Sequence, residues 1–173
     1  MRQKSIEKGA VNLLVNCAET RSNDRLLIIH EEPGLGYYDE DIVSAVAEAG
    51  RRIGAHVSVR QVPFNPQATE VPAEVRALMA GADRTVFLAR IGDQLRFSDM
   101  ASNGRALVSY ALDVGMLGSP YGTADYRAFD LLKSALNRMM SAAKTIHVSC
   151  PAGTDFHGSG PGSQMPLQDV GIY

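Results

Sequence analysis

The apolar run Leu26–Ile29 is the feature that most constrains the fold of this chain. Four large aliphatic residues stand in sequence, flanked by Arg25 and His30. A strand with one solvated face alternates apolar and polar residues, whereas a strand buried on both faces reads as a continuous apolar run. The run therefore predicts a strand in a parallel sheet that is covered by helices on both faces.

Strand-like and helix-like segments alternate along the rest of the chain. Further strands are predicted at residues 56–62, 84–89, 106–111 and 145–149, and helices at residues 10–20, 39–54, 71–80 and 123–143. Short connections between such elements are typical of parallel strands joined by right-handed crossovers. The sequence therefore predicts a Rossmann-like three-layer α/β domain with a mainly parallel sheet of about five strands.

This domain is expected to span residues 1–155, because the composition changes after it. Residues 156–173 are rich in Gly, Ser and Pro. Such a cluster of turn-forming residues is typical of a loop or tail. We interpret it as a tail or as the start of a second domain that is missing. The sequence leaves open whether the chain is a truncated form of a longer protein or a natural one-domain protein.

Two of the predicted helices carry local signals at their ends or on one face. Gly54 is placed to end the helix at 39–54, because glycine adopts the positive φ of a helix C-terminus without strain. Thr123 is placed to cap the start of the last helix. The apolar residues expected on the inner side of that helix are Phe129, Leu132, Leu136, Met139 and Met140.

Composition and charge exclude several classes of function. A net charge of −2 gives no clustered basic surface, so no nucleic-acid partner is expected. No apolar run approaches the ~20 residues of a membrane-spanning helix, so no membrane partner is expected. Cys17 and Cys150 are too few for a disulfide framework and are expected to be reduced thiols. We predict a cytoplasmic protein, and association into a homo-oligomer is left open.

The richest polar loop follows the third predicted strand. In an open α/β sheet, ligands bind beyond the carboxyl ends of the strands. Two arginines in this loop could present a fork for a carboxylate or phosphate ligand. The alternative is that the acid of the loop pairs with one arginine and only shapes the backbone. The candidate binding residues are Arg90, Asp93, Gln94 and Arg96.

Tyr110 and Asp113 follow the fourth predicted strand and are expected to point into the same cleft. A phenol and an acid can bind the polar groups of a substrate, although a tyrosine at a strand end often packs with its hydroxyl in water. Together with the preceding loop they predict a site for a small-molecule ligand. No catalytic residue is assigned.

Other motifs in the chain favour no catalytic or metal site. Segment 33–36 (PGLG) lies between a strand and a helix but lacks the third glycine of a dinucleotide-binding loop, so a connecting turn is favoured. Cys150 lies near His157 in sequence, but it precedes a proline and no orienting triad can be identified. The four histidines show no familiar metal-ligand spacing, so no metal ligand is expected in this chain.

Three phrases of the sequence carry a resemblance to a known family. They are residues 9–17 (GAVNLLVNC), 24–29 (DRLLII) and 149–155 (SCPAGTD). With the order of the predicted elements, they resemble the N-terminal half of the thermophilic metalloaminopeptidase family. That superfamily includes leucyl aminopeptidase-like proteins and the dihydroxypyridine ring-cleaving dioxygenases. The resemblance covers most of residues 9–155, and the strand that leads into PAGTD is its most specific part.

The resemblance implies where the chemistry of such proteins takes place. In complete relatives a divalent metal (zinc, manganese, cobalt or iron) is expected in a C-terminal domain beyond the Gly-Thr-Asp segment, and no cofactor is expected in this chain. The first hypothesis is thus an N-terminal domain that supplies one wall of a substrate cleft and is inactive alone. The alternative is a stand-alone small-molecule or nucleotide-binding α/β module that uses the same loops. A third hypothesis is a structural partner protein that associates through its C-terminal tail.

Overall fold

The computed structural model describes residues 2–32, 34, 37–65, 67–97 and 106–160. The described residues through Ala124 form one compact unit, which we call unit 1, and those from Asp125 onward form a second, unit 2. The chain is thus a mixed α/β protein. The predicted boundary at residue 155 stays a prediction.

Unit 1 is built around a parallel sheet of four strands in the order β2-β1-β3-β4. The strands are β1 (Arg25–Glu31), β2 (His56–Val62), β3 (Arg84–Leu88) and β4 (Ala106–Val108). Residue Ile28 of β1 lies between Val59 of β2 and Val86 of β3, so β1 has a hydrogen-bonded neighbour on each side. Four of the five predicted strands therefore occupy this sheet.

Helical segments of unit 1 alternate with these strands. They are α1 (Arg2–Val11), which continues into a π-helical segment (Asn12–Cys17), α2 (Glu40–Ile53), α3 (Ala73–Ala80), a 3-10 segment (Arg90–Phe97) and α4 (Val114–Leu117). The first helix begins well before the predicted residue 10, because buried Ile6 extends its apolar side toward the N-terminus.

The apolar run in β1 serves two separate cores, one on each face of the sheet. Leu26 and Ile28 pack with residues of α1, α2 and α4. Leu27 and Ile29 pack on the other face with Phe87 and with residues of α3. Successive side chains of a strand point to opposite faces, so a continuous apolar run is what two cores require. The predicted burial of β1 on both faces is confirmed.

Buried Asn12 ties the first helix to the last described loop of unit 1. Its Nδ2 donates to the carbonyl oxygens of Gly122 at 3.0 Å and Ala124 at 2.8 Å. Its Oδ1 accepts a hydrogen bond from Asn16 at 2.7 Å. A buried amide is costly unless its hydrogen bonds are made, and these three contacts satisfy it.

One predicted helix end is confirmed and one is wrong. Gly54 ends α2 with φ +91°, in the left-handed region that glycine adopts without strain. Thr123 does not cap the last helix, because its hydroxyl donates to the carbonyl oxygen of Ser119 at 2.9 Å. Asp125 takes that position, and its carboxylate accepts the backbone N–H of Arg127 at 3.0 Å.

Unit 2 contains helix α5 (Tyr126–Ala142) and an antiparallel hairpin of β5 (Thr145–Ser149) and β6 (Asp155–Ser159). The prediction that β5 is the fifth strand of the parallel sheet is therefore wrong. Only residues 150–154 separate β5 from β6, and a connection that short permits only antiparallel pairing. Residues 156–159, predicted to begin a tail, form most of β6.

Within the described part of unit 2, the apolar side of α5, which was predicted to face inward, is largely uncovered. No residue of α5 is buried. Of the predicted residues, Phe129 is half-buried, and the exposed ones are Leu132 (56%), Leu136 (48%), Met139 (69%) and Met140 (41%). Within the described part of unit 2 the sheet has two strands, which is too small a surface to cover a helix of this length.

None of the helices in the described ranges combines the length and the apolar character that crossing a membrane requires.

The close contact between α1 and α4 makes Gly9 sensitive to substitution. An alanine Cβ at Gly9 would overlap the carbonyl oxygen of Leu117. Alanine normally stabilises a helix relative to glycine. Here we expect Gly9→Ala to lower the free energy of unfolding by about 1–3 kcal/mol, as overpacking does elsewhere. Urea unfolding followed by far-UV circular dichroism measures the change.

Gly81 provides the matched control for this substitution. It has φ −87°, and its nearest neighbour to an added Cβ is the Leu78 oxygen at 3.5 Å. Gly81→Ala should be neutral or stabilising by up to about 1 kcal/mol. A Gly9→Ala variant as stable as the wild type would contradict the close packing of α1 on α4.

Candidate functional site

The carboxyl ends of β1, β3 and β4 lie side by side at one edge of the sheet of unit 1. From β1 the chain moves to β2 on one side, and from β2 it returns to β3 on the other side of β1. The β1/β3 boundary is therefore the topological switch point, where open α/β sheets bind ligands. Glu31 ends β1, and Arg90 follows β3, so these two residues flank the switch point.

Glu31 is a buried carboxylate at this edge, with 7% of its surface exposed. It accepts a hydrogen bond from the backbone N–H of Arg90. Burial raises the pKa of Glu31 above its ordinary value, and the Arg90 N–H and guanidinium oppose that rise only in part.

Arg90, Asp93 and Tyr110 form a connected polar chain beside Glu31. The Arg90 guanidinium forms an ion pair with the carboxylate of Asp93. The hydroxyl of Tyr110 donates to Asp93 Oδ1 at 2.8 Å. The Asp93 side chain is 14% exposed, whereas that of Arg90 is 44% exposed. The structure therefore brings three of the six predicted binding residues together, and Asp93 also makes the loop-shaping pair with Arg90.

Tyr38 completes the cluster from the segment before α2. Its hydroxyl donates to the carbonyl oxygen of Ser109 at 2.6 Å. Burial, with the negative charge of Glu31 next in effect, raises the pKa of Tyr38 well above its ordinary value. Tyr38 therefore stays a neutral hydrogen-bond donor. We call Glu31, Tyr38, Arg90, Asp93 and Tyr110 the edge cluster.

One of the other three predicted binding residues has a different role, and the side chains of the other two are not described. Asp113 caps α4, because its Oδ1 accepts the backbone N–H of Met116 at 2.7 Å. Gln94 and Arg96 belong to the 3-10 segment, and their side chains lie outside the described residues. In the PGLG loop, Gly34 has φ +86°, and the other three residues lie outside the described ranges.

Sequence reasoning missed the roles of Glu31 and Tyr38. The role of Glu31 could have been predicted, because a polar residue at the carboxyl end of a buried strand lies where ligands bind. Tyr38 carried no comparable signal, since its contact with Ser109 joins residues far apart in sequence.

A second cluster of polar side chains lies on the hairpin of unit 2. His147 Nε2 lies 2.7 Å from Asp155 Oδ1, and His157 Nε2 lies 3.5 Å from the same oxygen. The two imidazole rings stack with their centroids 3.9 Å apart. These residues were not grouped from sequence, because pairing of the two strands brings them together.

The thiol of Cys150 lies in the turn of the same hairpin and is exposed. Hydrogen bonding with the side chain of Thr154 lowers the pKa of Cys150. The turn is closed by the Cys150 N–H, which donates to the Thr154 carbonyl oxygen at 3.0 Å, and by Gly153 with φ +103°.

Comparisons with known proteins show the fold of the chain and no family. No protein-family model matches it, and no curated protein sequence does. A 2,5-dihydroxypyridine dioxygenase from Pseudomonas putida KT2440 matches 88% of this chain with a TM-score of 0.51 and 18% identity. A fatty acid ABC transporter substrate-binding protein from Thermomonospora curvata matches 78% with a TM-score of 0.39 and 17% identity.

The dioxygenase match shows a shared α/β fold. The chain spans 46% of the length of that dioxygenase and 40% of the substrate-binding protein. The aminopeptidase part of the resemblance stays a prediction.

The buried carboxylate of Glu31 predicts a specific dependence of stability on pH. A raised pKa in the folded state means that Glu31 favours folding below its unfolded pKa, near 4.5, and that this contribution is lost as the pH rises through the folded pKa. We expect Glu31→Gln, which keeps an acceptor for the Arg90 N–H, to be more stable than wild type at neutral pH. The difference should shrink as the pH falls toward 4.5.

Urea unfolding at a series of pH values measures this difference. Glu32→Gln is the matched control, because Glu32 is the neighbouring residue and is exposed. As a substitution of an exposed side chain, it should change the free energy of unfolding at neutral pH by no more than about 0.5 kcal/mol. A Glu31→Gln variant that is less stable than wild type at neutral pH would show that the charge on Glu31 stabilises the fold.

Proposed function

We propose that unit 1 is a Rossmann-like domain that binds a small polar molecule at its carboxyl edge and supplies one wall of a substrate cleft. In this proposal the chain corresponds to the α/β half of a dioxygenase-like or aminopeptidase-like protein and does not catalyse a reaction alone. The match to a 2,5-dihydroxypyridine dioxygenase over 88% of this chain, but 46% of that chain, supports the assignment. A catalytic divalent metal belongs to the remainder of such a protein.

The proposal rests on the position and the exposure of the Arg90 guanidinium. Its guanidinium is held by Asp93 at the switch point and is still 44% exposed. A guanidinium has five N–H donors in a fixed fork, and one carboxylate engages at most two of them. The remaining donors can bind a carboxylate or phenolate oxygen of a ligand at little entropic cost, because the side chain is already oriented.

The edge cluster is suited to binding. Asp93 already accepts from Tyr110 and pairs with Arg90, and Glu31 accepts the Arg90 N–H. These contacts orient Arg90 at the switch point, so we assign the cluster to positioning a substrate.

Titration of the chain with 2,5-dihydroxypyridine, followed by amide chemical shifts, tests the proposal. We expect shifts at the edge cluster in the wild type and an affinity at least about 10-fold weaker in Arg90→Gln, because hydrogen bonds to a charged group contribute about 1.5–3 kcal/mol. Arg76→Gln is the matched control. Arg76 lies on α3 and forms an ion pair with exposed Glu70 at 3.6 Å. Its substitution should not affect binding.

Three results would contradict the proposal. The first is the absence of shifts at the edge cluster, and the second is equal affinity in Arg90→Gln with an unchanged circular dichroism spectrum. The third is ring cleavage of 2,5-dihydroxypyridine by the chain alone. Binding of adenosine monophosphate in place of the dihydroxypyridine would favour the stand-alone nucleotide-binding alternative.

A further inference from the structure

Three potential metal ligands lie together on one face of the hairpin in unit 2. His147, Asp155 and His157 each offer one ligand atom, and these atoms lie within 4.8 Å of one another. Two imidazole nitrogens and one carboxylate oxygen are a donor set that proteins use for zinc and other divalent transition metals. The cluster is separate from the edge cluster, and the inference does not rest on the proposed function.

The register of the hairpin explains why these side chains meet. His147 of β5 is paired directly with His157 of β6, and Ser149 is paired with Asp155. Directly paired residues of antiparallel strands point to the same face, and residues two apart on one strand do so as well. His147, His157 and Asp155 therefore share a face, whereas Val148 and Phe156 lie on the other.

The backbone holds this register at both ends of the hairpin. At the turn, the Cys150 N–H donates to the Thr154 oxygen at 3.0 Å, and the Gly153 N–H donates to the Cys150 oxygen at 3.1 Å. At the open end, the Gly160 N–H donates to the Lys144 oxygen at 2.9 Å. The positions of the three ligand residues are thus set by the fold before any ion binds.

Two of the three distances between the ligand atoms are close to those around a single ion, and the third is within 4.8 Å. A tetrahedral ion with bonds of ~2.0–2.1 Å places neighbouring donor atoms roughly 3.3 Å apart. The two His–Asp distances, 2.7 and 3.5 Å, lie on either side of this value. Small rotations of the imidazole rings would direct both nitrogens and the carboxylate oxygen at one ion, without a change in the backbone.

We propose that His147, Asp155 and His157 bind one divalent transition-metal ion. The site takes zinc, cobalt, nickel or iron(II) in preference to magnesium or calcium, because those two ions select oxygen donors and the site offers two nitrogens. Three protein ligands leave at least one coordination position open. The side chains are 51%, 70% and 71% exposed, so water or an oxygen donor from a ligand can occupy that position.

Metal binding would also stabilise the hairpin. A two-stranded hairpin is marginally stable in water by itself. An ion that binds only the folded hairpin stabilises it in proportion to the logarithm of the metal concentration over the dissociation constant. An ordinary exposed His–Asp pair would contribute little and would not respond to metal. The response to metal therefore separates the two interpretations.

Calorimetric titration of untagged protein with Zn²⁺, and absorption spectra with Co²⁺, test the proposal. We expect one ion per chain, and an affinity at least about 10-fold weaker in His147→Gln, His157→Gln and Asp155→Asn. His56→Gln is the matched control, because His56 is an exposed strand residue in unit 1. Mg²⁺ and Ca²⁺ should not compete for the site.

A second readout distinguishes loss of a ligand from loss of folding. Co²⁺ should shift or broaden the ring proton signals of His147 and His157, and Zn²⁺ should raise the melting temperature of the wild type but not of His157→Gln. Equal Zn²⁺ affinity in His157→Gln, loss of binding in His56→Gln, or no Co²⁺ effect on the two hairpin histidines would overturn the proposal.

Discussion

The apolar run of β1 is buried on both faces of the sheet, and unit 1 depends on this burial. Leu26 and Ile28 belong to the core beneath α1 and α2, and Leu27 and Ile29 belong to the core beneath α3. Full burial of one such side chain contributes about 1.5–3 kcal/mol. Because both cores draw on the same strand, a change of one residue in its register would exchange the sides on which these residues pack and would disrupt both.

The position of the edge cluster follows from the central place of β1. Chain connections leave β1 in one direction and return to β3 in the other, so the loops after these strands diverge and leave a crevice at their ends. Glu31 and Arg90 lie there because of topology, and Asp93 and Tyr110 orient Arg90 through contacts that cross from β3 to the segment after β4. The same burial that stabilises the sheet also withdraws Glu31 from water and makes its ionisation costly.

Much of unit 1 could be predicted from sequence because its signals are local. The apolar run of β1, the bounds of β2 and the end of α2 at Gly54 each depend on a few neighbouring residues. Convergence of Arg90, Asp93 and Tyr110 followed from one rule about the ends of parallel strands. The partner of β5 could not be predicted, since a short strand has the same pattern whether its neighbour is parallel or antiparallel. Contacts such as Tyr38 to Ser109 also leave no periodic trace in the sequence.

The hydrogen bonds of Asn12 have a consequence for how unit 1 opens. Its amide binds the carbonyl oxygens of Gly122 and Ala124, the last residues of the unit, from a position near the start of the chain. Fraying at either terminus of a domain is normally independent and nearly free of cost. Here the two termini of unit 1 are joined through one buried side chain, so they should exchange their amide protons as a single cooperative group.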